Sequence, residues 1–171
     1  MRSRGIAKAP ANEPVVGALR LERDITSQEQ ALLNPHGVNC LRAFPGRGIL
    51  VWGARTTSTD PEWKYVNVRR LLDFLEHSIE RGTQWVVFEP NGETLWSHVR
   101  SQVADYLTEQ WRAGVLQGMK VSDAFFVRCD RTTMTERDLD EGRLICLVGV
   151  AVLRPGEFVI FRIGQKTLTA A

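Results

Sequence analysis

The sequence predicts an α/β (α+β) fold, a mixed β-sheet with an N-terminal β-hairpin and two long amphipathic helices packed on it. Three observations support this. Pro45-Gly46-Arg47-Gly48 divides two short apolar segments, Val38 to Phe44 and Ile49 to Ala54, because proline fixes one φ and glycine accepts a positive one. Val68, Leu71, Leu72, Leu75 and Ile79 recur at helical spacing, as do Trp96, Val99, Val103, Tyr106, Leu107 and Trp111. Short apolar and β-branched runs bounded by turn residues fill much of the remainder, so the order β-hairpin, α, β, α, β, β, β is that of a sheet covered by helices.

In chain order, residues 1–26 read as an extended lead-in, since Gly5, Pro10 and Pro14 interrupt it and no periodicity appears. Thr26 with Glu29 has the spacing of a capping box and opens a short helix over Ser27 to Leu33, which Asn34-Pro35 ends. The hairpin follows, and a polar loop through Asp60-Pro61-Glu62-Trp63 leads to a helix from about Val68 to Arg81, stopped by Gly82. Gln84 to Phe88 reads as a short buried strand, and Glu93 to Arg112 as the second long helix, with Gly114 past its end. Ala124 to Cys129 is the next strand. Thr135 with Asp138 can cap a helical turn within the acidic loop. Leu144 to Leu153 and Glu157 to Ile163, separated by Arg154-Pro155-Gly156, are the last two strands.

The totals narrow the classes of function. A chain of 171 residues fits one domain of ordinary size. With 22 basic and 20 acidic residues the formal charge is +2, which gives no electrostatic footprint for nucleic acid or an anionic membrane surface. Cys40, Cys129 and Cys146 are odd in number and widely spaced within apolar segments, implying buried thiols and neither a disulfide framework nor a metal half-site. His36, His77 and His98 share no ligand spacing, and no nucleophile elbow or phosphate loop is present. Asp138, Asp140 and Glu141 cluster without the alternation of a calcium loop. No cofactor and no catalytic or metal site is expected.

The most specific information lies in Asn34-Pro35-x-Gly37-Val38-Asn39, Phe44-Pro45-Gly46-Arg47-Gly48, Val51-Trp52-Gly53-Ala54-Arg55-Thr56 and Asp60-Pro61-Glu62-Trp63-x-Tyr65-Val66-Asn67-Val68-Arg69-Arg70. It continues in Gly82-Thr83-Gln84-Trp85-Val86-Val87-Phe88-Glu89-Pro90-Asn91, Phe126-Val127-x-Cys129-Asp130 and Pro155-x-Glu157-Phe158-Val159-Ile160-Phe161-Arg162-Ile163. In this order the motifs resemble the C-terminal domain of contractile tail sheath proteins of phage tails, tailocins and extracellular contractile injection systems, from about Lys8 to Gln165. The resemblance implies a non-enzymatic subunit that polymerises around an inner tube, accepts strands from the arms of neighbouring subunits and stores contraction energy in contacts between subunits. Implied partners are other sheath subunits, an inner tube protein, and baseplate or cap proteins, with no nucleic acid and no membrane. Implied localisation is assembly in the bacterial cytoplasm into a phage tail or contractile particle.

Family members usually carry an N-terminal arm and an outer domain before the Lys8-Ala9-Pro10 element, so the chain is expected to be an excised domain, a truncated product or a short paralogue. Its expected organisation is a lead-in over 1–26, a sheath C-terminal-like domain over 27–165 and a short tail over 166–171. Glu157, Phe158, Val159, Ile160, Phe161, Arg162 and Ile163 are the expected strand-exchange segment, from their place before that tail. A basic stripe on one of the two long helices, Arg69, Arg70 and Arg81 or Arg100 and Arg112, is the expected tube contact, against an acidic tube surface. The rival readings are a cap or adaptor that docks on a sheath ring without contracting, and an enzyme built from His36, Asp138 and Asp140.

Overall fold

A computed structural model describes residues 5–157. Its helices and small antiparallel sheets belong to the α+β class. The first sheet has the order β1-β3-β2, formed by β1 (Glu13–Pro14), β2 (Cys40–Phe44) and β3 (Gly48–Trp52). Strands β2 and β3 are the expected hairpin, paired from Cys40↔Trp52 to Phe44↔Gly48. Its turn is held by the Arg47 N–H donating to Phe44 O at 3.0 Å, with Pro45 second and Gly46 third at φ 71, the arrangement of a type II turn. The lead-in is extended where β1 lies against β3.

Helix α1 (Ser27–Leu33) starts at the expected capping box, in which Thr26 Oγ1 accepts from Glu29 N–H and the Glu29 carboxylate accepts from Thr26 N–H. A single 3-10 turn then ends at Gly37, whose φ is 80. A β-carbon there would lie 2.6 Å from the Thr56 carbonyl oxygen, so glycine is required by both conformation and space.

Helices α2 (Val66–Gly82) and α3 (Glu93–Arg112) bury the faces that their spacing marks out. Leu71 and Leu75 of α2 meet Leu95, Trp96, Val99, Val103 and Leu107 of α3 in one core. The second sheet closes that core, with β4 (Phe125–Arg128), entered through the short α4 (Val121–Ala124), antiparallel to β5 (Leu147–Val150). Between these strands α5 (Glu136–Asp140) carries the second expected capping box, Thr135 with Asp138.

Two expectations change. Gln84 to Phe88 is not a buried strand: Gln84–Val86 forms a 3-10 turn, and Val87 and Phe88 are exposed. Its backbone makes local bonds, from Val86 N–H to Thr83 O, Val87 N–H to Gln84 O and Glu89 N–H to Val86 O, which curl the segment into turns in place of a ladder. The strand expected over 144–153 is shorter, Leu147–Val150; past its end the Ala151 N–H still donates to Ala124 O at 2.7 Å, and Val152 forms an isolated bridge with Leu116. All described pairing is antiparallel. The expected strand over Glu157 to Ile163 lies, apart from Glu157, outside the described residues.

Gly37→Ala is expected to destabilise the chain by at least about 2 kcal/mol, since it combines a strained φ with a backbone collision. Urea unfolding should show a lower midpoint at unchanged slope, and an unaltered midpoint would contradict this account of the turn.

Candidate functional site

The polar centre of the molecule forms where the hairpin runs into α2. One register step beyond β2, the Asn39 side chain imitates a strand: its Oδ1 accepts from the Arg55 N–H at 2.8 Å and its Nδ2 donates to Arg55 O at 2.7 Å. Gly53 leaves the room for this, because a β-carbon there would sit 2.6 Å from Asn39 Oδ1. On its other side Arg55 bridges to Tyr65, and the Thr56 N–H donates to Lys64 O at 2.8 Å. The Arg55 backbone is thus fixed from both flanks.

The Arg55 guanidinium grips the last described residue. Its Nε donates to Glu157 Oε1 at 2.9 Å and its Nη2 to Oε2 at 2.7 Å, the two-pronged geometry that suits arginine and carboxylate. The Tyr65 hydroxyl donates to Oε2 at 3.1 Å, the Asn34 amide to Oε1 at 3.4 Å, and Lys64 Nζ lies 3.9 Å away. Arg55 Nη1 also donates to Asn34 O at 3.2 Å. The side chains of Arg55 and Glu157 are 10% and 14% exposed, so the pair is largely shielded from water. The hydrogen bonds from Arg55, helped by those from Tyr65 and Asn34, hold the Glu157 carboxyl below its ordinary value against the opposing effect of burial. Glu157 in turn raises the Arg55 value.

A second polar pin lies beside this clasp. Asn67, 2% exposed at the start of α2, donates from Nδ2 to Ala7 O at 3.0 Å and to Leu153 O at 3.1 Å. It therefore joins the lead-in and the segment approaching Glu157 to the same helix. A cavity of 580 Å³ opens next to the pin, walled by Ala7, Trp52, Ala54, Leu153, Pro155 and Glu157 among others.

The arginines expected to face a tube do not form one row. On α2, Arg70 and Arg81 fall within about 20° of each other around the axis, whereas Arg69 lies about 100° away. Arg69 pairs with Asp73 at 2.8 Å and stacks over Trp63, and Arg70 is also engaged. On α3, Arg100 and Arg112 are exposed and about 120° apart. Of the expected strand-exchange segment, Glu157 is the clasped residue and 158–163 lie outside the described residues.

The residues of the rival enzyme are not assembled. His36 contacts Leu32 O through Nδ1 and lines a 580 Å³ cavity that includes neither Asp138 nor Asp140. Asp138 caps α5 through Thr135, which lowers its carboxyl value, and pairs with Arg143 at 3.2 Å. No group of three or more metal-ligating side chains exists among the described residues, and none of their helices is long and apolar enough to cross a membrane.

Two exposed apolar regions accompany the clasp. Trp85, Val87 and Phe88 protrude between α2 and α3, and Phe88 is fully exposed at φ 70, a conformation strained for an aromatic residue. On the outer face of the β4–β5 sheet, Phe126 lies over Gly149, with Leu147 exposed nearby. The pairing of Arg55 with Glu157 could not be read from sequence, although both residues lie in the motifs quoted above.

Comparison with known proteins gives this geometry a family. Residues 58–166 match the model described as the phage tail sheath C-terminal domain, and residues 2–57 match the phage tail sheath protein central domain. The tail sheath protein of Vibrio phage KVP40 is 26% identical over 146 residues, 85% of this chain and 21% of that protein. That of Enterobacteria phage T4 is 24% identical over 135 residues, 77% of this chain and 19% of that protein. A chain in the baseplate of the anti-feeding prophage superposes with a TM-score of 0.91 at 41% identity, covering 97% of this chain and 47% of the other. A chain of the contracted PVC sheath complex, from an extracellular contractile injection system, gives 0.90 at 40% identity, covering 96% and 47%. The chain spans about a fifth of the curated relatives and under half of these solved chains. With both family models matched in succession along nearly its whole length, the chain belongs to the phage tail sheath family.

Proposed function

We propose that the chain serves as a structural, non-enzymatic subunit of a contractile sheath, polymerising around an inner tube and exchanging strands with neighbouring copies. The single observation behind this reading is the clasp: a fork-bound, water-shielded Glu157 at the root of the segment 158–163, where a strand lent to a neighbour needs a fixed origin. Three further features support it. Among the described residues β4 and β5 pair only with each other as strands, so main-chain groups remain for an added strand. Phe88 holds a strained, fully exposed conformation that no contact among the described residues offsets, and cover by a second copy would offset it. A relative 41% identical over 95% of this chain is part of a helical sheath in its contracted state. Contraction in such a lattice needs no nucleotide, because its free energy is the difference between two sets of subunit contacts.

Deleting residues 158–171 while keeping Glu157 tests strand exchange without opening the clasp. The shortened chain is expected to keep its melting temperature but to drop out of cylinders formed with a full-length sheath, as judged by negative-stain imaging. Normal incorporation would refute the exchange, and isolated rings in place of cylinders would favour a cap.

Glu157→Ala strands the shielded Arg55 charge and is expected to cost about 3 kcal/mol. The folded carboxyl titrates below its unfolded value of about 4.3, so its contribution is complete above that pH and drains as pH falls through the folded value. Thermal unfolding of Glu157→Gln should therefore lose this part of the acid sensitivity of the native chain, and parallel pH profiles would contradict the clasp.

For the tube, the basic residues of one of the two long helices, Arg69, Arg70 and Arg81 or Arg100 and Arg112, are proposed to face an acidic surface. Arg-to-Glu changes should weaken co-sedimentation with tube, most at low salt. Binding that is unchanged across the salt range would remove these residues from the contact.

A further inference from the structure

Cys129 and Cys146 take no part in the clasp, yet the fold places them opposite each other. Cys129 directly follows β4 and Cys146 directly precedes β5. The ladder pairs Phe125 with Val150 and Arg128 with Leu147, and one more step in this register matches Cys129 with Cys146. Its hydrogen-bond phase is set at the far end, where the Ala151 N–H donates to Ala124 O at 2.7 Å between directly opposed residues. Alternation from that pair makes Cys129–Cys146 a non-hydrogen-bonded pair, the kind whose Cα atoms approach to about 4.5 Å. That spacing falls within the range a disulfide spans without backbone movement. Both side chains meet the core beneath α3, and the two thiols are in contact. Access is unequal, because Cys129 is 0% exposed whereas Cys146 is half-buried. The third thiol, Cys40, is buried in the other sheet.

We propose that Cys129 and Cys146 are a paired oxidation site, closed into a disulfide by a low-molecular-weight disulfide such as that of glutathione. The more accessible Cys146, as thiolate, attacks one sulfur of the oxidant, whose S–S bond breaks. A mixed disulfide forms on Cys146 and one glutathione thiolate leaves. Cys129, as thiolate, then attacks Cys146 Sγ, the mixed disulfide breaks and the second glutathione leaves. Each departing thiolate takes up one of the protons that the protein thiols lose. Two electrons pass from the cysteine pair to one oxidant molecule, which becomes two thiols. The bridge fastens the open end of the β4–β5 sheet and encloses residues 130–145 with α5, constraining the unfolded chain. Reaction is slow at neutral pH, because burial pushes the Cys129 thiol up to about 12 and also raises Cys146. The site therefore responds to sustained oxidising conditions and not to brief ones.

The test uses the reduced full chain incubated with graded ratios of oxidised to reduced glutathione at about pH 9, where thiolate is more abundant than at neutrality. After acid quenching and alkylation, intact mass and peptide mapping report which thiols have reacted. The expected product is lighter by about 2 Da before alkylation, contains one Cys129–Cys146 linked peptide and retains an alkylated Cys40. Its melting temperature should exceed that of the reduced chain by about 5 °C. Cys146→Ser and Cys129→Ser should each abolish the linked peptide. Glutathione remaining on Cys146, a link through Cys40, or three alkylatable thiols under excess oxidant would each overturn the proposal. These readouts come from the isolated chain, so they stand or fall separately from the sheath reading.

Discussion

The arrangement around Glu157 depends on one buried fork. An ion pair out of water is costly unless its hydrogen-bonding capacity is filled, and here each carboxylate oxygen receives two donors: Arg55 Nε with Asn34 Nδ2 on Oε1, and Arg55 Nη2 with the Tyr65 hydroxyl on Oε2. An apolar contact could hold the segment as tightly, but it would tolerate sliding by a residue. Two oxygens facing a planar guanidinium fix both position and orientation. The same logic applies at Asn67, whose amide satisfies two carbonyls from opposite ends of the chain, Ala7 and Leu153. Residues more than a hundred positions apart are thus registered by side chains and not by a continuous ladder.

Apolar packing does a different job. The core between α2, α3 and the β4–β5 sheet centres on Leu71, Val103 and Leu107, all but inaccessible to solvent, and burial of such a side chain is worth about 2 kcal/mol. A two-stranded sheet is marginal alone. This one is supported by α3 on its inner face, while its outer face keeps Phe126 over Gly149 and leaves Leu147 exposed. The molecule is therefore well packed on one side of that sheet and unfinished on the other.

Sequence reasoning succeeded where the determinants are local. Thr26 with Glu29 marks a helix start because the capping groups lie three residues apart, and Glu93–Arg112 has the expected bounds because its apolar face and terminal glycine lie within one segment. It failed for Gln84 to Phe88, where composition suggests a strand but Thr83 ends α2 with bonds to Ile79 and Glu80 that lead straight into a local turn. Arg55 and Glu157 looked like ordinary members of two motifs, since nothing local indicates a partner 102 residues away. The meeting of Cys129 and Cys146 was hidden for the same reason: it follows from strand register, which only the paired ladder specifies.

Under the proposed function, the position of the fork has a mechanical consequence. A strand lent to a neighbour transmits any pull along its backbone to the residue where it leaves its own domain. At Glu157 that force passes through the side chain to Arg55, whose backbone is held by Asn39 on one flank and by the bridge to Tyr65 on the other. From there it reaches β3 and α2 together, so several hydrogen bonds must yield at once. Without the fork, the same pull would act on residues 151–156 and peel them outward one contact at a time, starting at the Asn67 bond to Leu153. Loading bonds in parallel resists far more force than loading them in sequence, which is why a fixed origin, and not merely a sticky arm, suits a lattice whose subunits must pivot without separating.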